Sequence, residues 1–538
     1  MILNLNIQSK TVTGAALIIG AATLLSRLVG LFRDRAFAHY FGAGPVMDAY
    51  YAAFKIPDLI YNLLILGALT AGFIPTFTKL FCQGSDKSPA WRLASNIFNI
   101  AGISLVVLCG LGMIFAPSLT PLIAPGFSSE NLARATDFTR IMFLSPFFLG
   151  LSMTLGGILQ SLRRFVLYSI APIFYNLGII FGAVFLARWF GPIGLAWGVV
   201  LGAFIHFALQ FYGARSAGWR WRWHFNLRDA DTRLIGKLMI PRTLGLAISE
   251  VNIVVITILA SLLPIGSVAI YNFASNLQAV PIGIIGIPFA LAVFPVLSAA
   301  AATNNRLDFI KNLSSTTRQI LFLMTPLAII ILLLRAQVVR VVLGSGAFDW
   351  TATTQTADAL AFFAFGLFAQ SLIPLFARAF YSWSDTKTPF IIGVIAELLA
   401  IIAALTLMRP LGVAGLALAG SIGATVNICI LAIYLRNKLG RLDGEQIVSS
   451  FFRFAIAGLA MAVVVQALKY PLAKILNLDY FWGVFGQGVI AGLTGLAVYG
   501  IICWLLRAPE FLRLKETIEN RWLKPASIQT TELIEGKE

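Results

Sequence analysis

The chain has 538 residues, of which 59% are apolar and only 12% charged, and its formal net charge is +17. Soluble domains carry about 25% charged residues, and no soluble fold buries this much apolar surface, so the composition leaves an all-α polytopic membrane protein. In that setting the positive balance reflects sorting of Lys and Arg by membrane side; no nucleic acid is expected as a partner.

Apolar runs bounded by charge, Gly and Pro give fourteen candidate spans. In chain order they cover 12–34, 48–80, 93–116, 138–160, 166–187, 193–214, 234–263, 267–298, 318–343, 356–382, 388–408, 412–435, 451–470 and 484–506. The start, MILNLNIQSKTVTGAAL, has one Lys and no A-x-A-like cleavage site, and reads as a retained first span. Within that span, SRLVGLFRDRAF places Arg27 roughly 22 Å from the starting interface at ~1.5 Å per residue. That is too deep for easy snorkelling, whereas Arg35 suits an interfacial anchor. Arg27 and Asp34 are seven residues apart and share a helix face; Arg33 lies about 120° away from Arg27.

Span 2 carries Asp48, Lys55 and Asp58. Asp48 and Lys55 form one stripe at seven-residue spacing, and Lys55 with Asp58 has the spacing of an intrahelical pair. Pro57 and Pro75 here, and Pro281, Pro288 and Pro295 in span 8, predict kinked or partly unwound helices. Span 7 carries Arg242 and Glu250, whose bland reading is a structural ion pair, with Asn252 beside them and Asn276 on span 8. Glu397 stands alone in span 11, where a carboxylate is either protonated or a cation ligand. Charge inside a membrane faces a cavity or a partner, so these residues together suggest a cationic cavity for an anionic substrate.

With the N-terminus in the cytoplasm, 27 of the 40 Lys and Arg fall on the inside, which supports an even span count and both termini inside. WRWRWHF, centred on Trp221 in the longest inside loop, has the composition of an interfacial aromatic belt. Cys82, Cys109, Cys429 and Cys503 lack CxxC spacing, and His39, His206 and His224 are far apart in sequence, so neither disulfides nor a metal site is expected. No P-loop and no nucleophile signature is present. The expected chemistry is transport, not enzymatic catalysis, without an organic cofactor and driven by a monovalent cation gradient, the membrane potential or product consumption.

The chain also repeats itself. DAYYAAFKIPDLIYNLLILGALTAGFIPTF (48–77) aligns with VAIYNFASNLQAVPIGIIGIPFALAVFPVL (268–297), so that Ala49 meets Ala269, Tyr51 meets Tyr271 and Pro75 meets Pro295. ILQSLRRFVLYSIAP aligns with LFARAFYSWSDTKTP at nearly the same offset. Six spans per copy is even, which predicts two parallel six-helix lobes flanking a central cavity. The expected divisions are a tail (1–9), an N-lobe (10–215), a cytoplasmic linker (216–233), a C-lobe (234–436), spans 13 and 14 (437–507) and a cytoplasmic tail (508–538).

Four stretches then carry a family resemblance: SRLVGLFRD (26–34), FGAGPVMDAYYAAFKIPDL (41–59), PIGIIGIPFALAVFPVLS (281–298) and ARAFYSWSDTKTP (377–389). They resemble the MurJ (MviN) family, the lipid II flippases of the MOP superfamily. The resemblance implies two lobes around a V-shaped cavity in the bacterial plasma membrane, with two extra helices making a lipid-facing groove. It also implies alternating access that carries undecaprenyl-pyrophosphate-linked disaccharide-pentapeptide to the outer leaflet, with cell wall synthesis proteins as prospective partners. By that match Arg27 and Arg33 are pyrophosphate ligands and Asp48 is a functional aspartate. The chain departs from the family pattern at Tyr61 and Leu66, where relatives carry Arg and Glu, and at Ser275, Asn276 and Ala279, where they carry an Asp-Arg pair and a Glu. The substrate-binding set is therefore Arg27, Arg33, Asp48, Lys55 and Arg242, with Arg242 standing in for missing cationic charge. Ser26, Asp34, Asp58, Glu250, Asn276 and Glu397 form the supporting or ion-coupling set. The alternatives are export of another anionic polyprenyl-linked glycan, or a non-transporting scaffold for wall synthesis.

Overall fold

The computed structural model describes residues 12–63, 72–83 and 86–518, and among them there are helices and no strand. The N-terminal half contains α1 (Val12–Phe41), α2 (Pro45–Tyr61), α3 (Ile74–Gln83), α4 (Ser88–Ile123), α5 (Ser129–Met142) and α6 (Leu144–Ser161), then α7 (Phe165–Phe181), the one-turn α8 (Ala187–Phe190) and α9 (Gly194–Ser216). The C-terminal half contains α10 (Ala230–Ser261), α11 (Ser267–Pro281), α12 (Ile287–Ala302), α13 (Arg306–Leu333), the short α14 (Arg335–Val342), α15 (Trp350–Ser382), α16 (Lys387–Leu411) and α17 (Val413–Leu439). After them come α18 (Gly444–Ile475), α19 (Phe481–Leu505) and α20 (Pro509–Ile518).

Local chemistry sets several boundaries. Ser128, Asp229, Asn305 and Asp349 each accept a backbone N–H three residues on, capping α5, α10, α13 and α15. The eighth apolar run breaks where expected. Pro281 has no N–H to continue the helical ladder, and one π turn (Ile282–Gly286) separates α11 from α12. The second run passes from α2 into a π turn at 62–63; Leu66 lies outside the described residues.

Among the described residues ten helical segments are long and apolar enough to cross a membrane. One of them, Phe165–Ser216, has 52 residues. At ~1.5 Å per residue it is more than twice a bilayer core, so it folds back at Gly191–Pro192 and α7 packs against α9. α1, α2 and α10 are not among the ten: α2 has 17 residues, and of α10 the apolar stretch Glu250–Ser261 is shorter than a span. The packing also repeats. α1 lies on α7 as α10 lies on α16, and α9 packs on α6 and α7 as α17 packs on α15 and α16.

A large apolar core joins helices of both halves, from Phe37 and Met47 through Leu259 and Phe273 to Leu367 and Phe454. A second cluster joins α3, α4 and α6 to the end of α9, the segment after it and the start of α10, around Phe77, Phe143 and Trp219. Outside, α16 exposes Ile391, Ile395, Leu398, Ile402 and Leu405 as a stripe that suits acyl chains and not water. The linker after α9 is pinned to α4. Asn99 donates to the carbonyls of Arg222 and His224 at 2.9 Å and accepts from the Trp221 indole at 3.0 Å. Trp219 is fully buried while Trp221 and Trp223 face outward. His206 is a packed imidazole, its Nδ1 2.7 Å from the Ser152 hydroxyl, and all four cysteines are free.

Candidate functional site

A cavity of about 260 Å³ lies between α2, α10 and α11. Lys55, Asp58 and Asn62 enter it from the α2 run, Glu250 and Asn252 from α10, and Tyr271, Asn272 and Ser275 from α11. Its described lining carries one cation and two carboxylates, less positive than the cationic cavity expected from sequence. Lys55 and Asp58 form no ion pair; the Lys55 ammonium reaches across to the Asn272 amide oxygen at 3.5 Å.

Contacts between the halves close this cavity on both sides. Toward the 42–44 loop, Asp48 is 2% exposed and its two oxygens accept the Gly266 N–H at 2.6 Å and the Ala269 N–H at 2.8 Å. These amides belong to the start of α11, whose own N-cap is Gly266, at φ +94° and without a side chain. A Cβ there would meet the Ala43 carbonyl oxygen at 2.3 Å, so only glycine fits, and the cap comes from the other half of the molecule. Asp34 does a related job further along α11, accepting the Asn276 side-chain amide at 2.9 Å. The Ala347 N–H donates to the His39 carbonyl at 2.9 Å on the same side.

Toward the opposite side, the Asn62 amide donates to the Glu250 carboxylate at 2.8 Å, and the Thr243 hydroxyl donates to the Leu63 carbonyl at 2.9 Å. Gly72 packs directly on the Ile235 backbone; a Cβ at Gly72 would lie 2.9 Å from the Ile235 Cα. Glu250 is therefore held by Asn62 from the other half. The Arg242 side chain lies outside the described residues.

The three arginines of the first span have three different fates. Arg27 extends from α1 to α11 and donates through Nη1 to the Ala279 carbonyl at 3.1 Å. Its guanidinium lies flat against Gly283, where a Cβ would sit 2.1 Å from Cζ, and its Nε is buried without a hydrogen-bond partner among the described residues. Arg33 is committed within its own half: Nη2 is 2.8 Å from Asp34 Oδ1, Nη1 donates to Asn176 at 3.1 Å, and the guanidinium lies 5.7 Å from the Phe37 ring. Arg35 donates to the Val341 carbonyl and lies 5.3 Å over the Phe481 ring. It anchors α1 to α14 and α19 through protein contacts, where the sequence suggested an interfacial anchor. Neither Arg27 nor Arg33 lines the closed cavity.

Ser26 is half-buried and forms no side-chain hydrogen bond among the described residues. Glu397, on α16, likewise has no partner among them and stands within electrostatic reach of Tyr271. Sequence reasoning missed Asn62, Asn272 and Thr243. Asn62 carried a usable signal, because Asp48, Lys55 and Asn62 continue one stripe at seven-residue spacing and each bonds to the other half.

Comparison with known proteins agrees with this architecture. The family model described as "Lipid II flippase MurJ" matches residues 37–485. The chain is 30% identical over 509 residues to a "Probable lipid II flippase MurJ" of Buchnera aphidicola subsp. Schizaphis graminum, covering 92% of this chain and 96% of that protein. It is 29% identical over 475 residues to a "Lipid II flippase MurJ" of Burkholderia cenocepacia, covering 87% and 90%. In fold it is similar to a solved "Lipid II flippase MurJ, inward closed conformation", with TM-score 0.77, 24% identity and coverage of 91% and 98%. A multidrug resistance MATE family transporter of the MOP superfamily, in an inward-facing conformation, shares the fold at TM-score 0.66 and 15% identity, covering 80% and 99%. This chain belongs to the lipid II flippase MurJ family.

Proposed function

We propose that the protein is a lipid II flippase, a transporter and not an enzyme, moving undecaprenyl-pyrophosphate-linked disaccharide-pentapeptide to the outer leaflet of the bacterial plasma membrane by alternating access. The proposed frame has fourteen spans, two six-helix lobes at 10–215 and 234–436, spans 13 and 14 at 437–507, and both termini in the cytoplasm. The lobes rock about the α2–α10–α11 cavity. A monovalent cation or the membrane potential supplies the drive, with Asp58, Glu250 and Glu397 as the candidate cation ligands.

The observation that carries the reading is the uncommitted chemistry of Arg27. Its partner is a neutral carbonyl, and a second donor, Nε, is buried without a partner among the described residues. Exchanging that carbonyl for a pyrophosphate oxygen replaces a neutral acceptor with a charged one, roughly doubling the strength of the bond. Separation of α1 from α11 thus exposes a guanidinium whose hydrogen bonding improves on meeting the substrate. Lys55, in the cavity between α2, α10 and α11, supplies the next cation. Arg33 already holds a carboxylate, so its role is to fix Asp34 and, through it, Asn276.

The experiment is complementation of a conditional flippase depletion, read as outer-leaflet exposure of lipid II. Growth with normal lipid II exposure is expected. A well-expressed chain that leaves lipid II inside would refute the substrate assignment and move the reading to another anionic polyprenyl-linked glycan or a scaffold.

A further inference from the structure

A second charged cleft lies away from the interlobe cavity. It measures about 1230 Å³ and is formed where the start of α13, the end of α17, the start of α18 and α20 converge. Lys311, Arg436 and Arg441 enter it, and none has a hydrogen-bond or ion-pair partner among the described residues. Arg513 also lines it and donates to the Ser315 hydroxyl at 3.0 Å. Arg318 lines it too, 8% exposed, with Nη1 2.7 Å from the Glu510 carboxylate and Nε buried without a partner among the described residues.

The acidic residues of the cleft do not cancel this charge. Asp443 is turned away in the left-handed conformation (φ +58°), and its carboxylate accepts from the Ser314 hydroxyl at 2.7 Å. It therefore gives no side-chain cap to α18, a helix of 32 residues. Gly444, Glu445 and Gln446, the first residues of that helix, line the cleft, with Glu445 the one remaining carboxylate in the described lining. Uncapped amides at a long helix start and several cations around them form an anion site.

The rim decides which anion. Val448 lines the cleft, is 52% exposed, and is followed one turn later by Phe452, 62% exposed on the same face of α18. A soluble phosphate has no use for that stripe, whereas a lipid lays its chains along it. We propose that this cleft binds the phosphate of an anionic phospholipid headgroup, with the acyl chains against Val448 and Phe452. The proposal rests on the membrane-spanning reading of the chain, and not on the identity of its transported substrate or on its orientation.

The test uses the full chain purified from nanodiscs of phosphatidylcholine alone or with phosphatidylglycerol, with retained lipid counted by native mass spectrometry. Wild type is expected to keep phosphatidylglycerol in preference to phosphatidylcholine. Arg436→Gln with Arg441→Gln should weaken that retention about tenfold or more, since each cation near an anionic lipid contributes to binding. Lys311→Gln alone should give a smaller loss, and keeps the test open if the double variant unfolds. Inorganic phosphate and pyrophosphate added at millimolar levels should not displace the lipid. Equal retention by folded variants overturns the proposal. Displacement by inorganic phosphate, or phosphate binding without lipid retention, assigns the cleft to a soluble anion and overturns it as well. A symmetric nanodisc presents the lipid on both faces, so an error in orientation or substrate leaves these outcomes unchanged.

Discussion

The two closures of the interlobe cavity are built differently. On the side of the 42–44 loop a charged group grips backbone: both Asp48 oxygens hold the first amides of α11. On the opposite side, one amide–carboxylate bond and one hydroxyl–carbonyl bond join the halves, beside the tight Gly72–Ile235 packing. Backbone partners in a helix are fixed in place, and hydrogen bonds to charge are the stronger kind. The loop side is therefore the firmer closure, and the Asn62–Glu250 side is the one that yields first.

The largest expected effect tests the firm side. Asp48→Ala leaves two buried amides without an acceptor and should cost about 3 kcal/mol, read as thermal stability in detergent. Asp48→Asn should cost less, because one acceptor oxygen remains. An unchanged melting temperature in Asp48→Ala would reverse the ranking of the two closures. Next, Arg33→Ala should cost about 2 kcal/mol, since it leaves the buried Asp34 carboxylate without its cation and with only the Asn276 amide; partial exposure of Arg33 keeps the figure below that of a fully buried pair. Stability equal to wild type there would show that Asp34 does not depend on Arg33.

On the yielding side, Asn62→Ala should cost only about 1 kcal/mol but open the cavity. Ser275→Cys, placed in a chain lacking the exposed Cys82 and Cys429, should then react faster with an impermeant thiol reagent. No change in labelling rate would contradict the assignment of that side as the gate.

The smallest effect concerns the loop between α15 and α16. Burial raises the Asp385 carboxyl, but hydrogen bonds from Lys438 and Thr388 outweigh it and hold it below the usual carboxylate range. A depressed carboxylate contributes stability above its unfolded pKa and loses it as pH falls through the folded value. Acid should therefore lower the melting temperature slightly more in wild type than in Asp385→Asn; parallel curves would remove this contact from the account.

Helix periodicity made much of the site legible. The seven-residue spacing of Arg27 and Asp34 puts both against α11, and the spacing of Asp48 and Lys55 points both at the other half. The π turn after Pro281 followed from the missing N–H. What stayed hidden depends on partners distant in sequence. The bond between Glu250 and Asn62 joins residues 188 positions apart, which no helix period shows. The family resemblance makes Asp48 a functional aspartate. Its role as a helix cap needed the position of Gly266 in space. The family resemblance grouped Arg27 with Arg33, and geometry separates them, one held by a neutral carbonyl and the other by a carboxylate.

That separation is tested most directly by Arg27→Ala in flippase-depleted cells, scored for outer-leaflet lipid II alongside the melting temperature of the purified variant. The account predicts loss of lipid II exposure with a fall in stability of only about 1 kcal/mol, the worth of one hydrogen bond to a neutral acceptor. Normal lipid II exposure by a variant expressed at the wild-type level would contradict it.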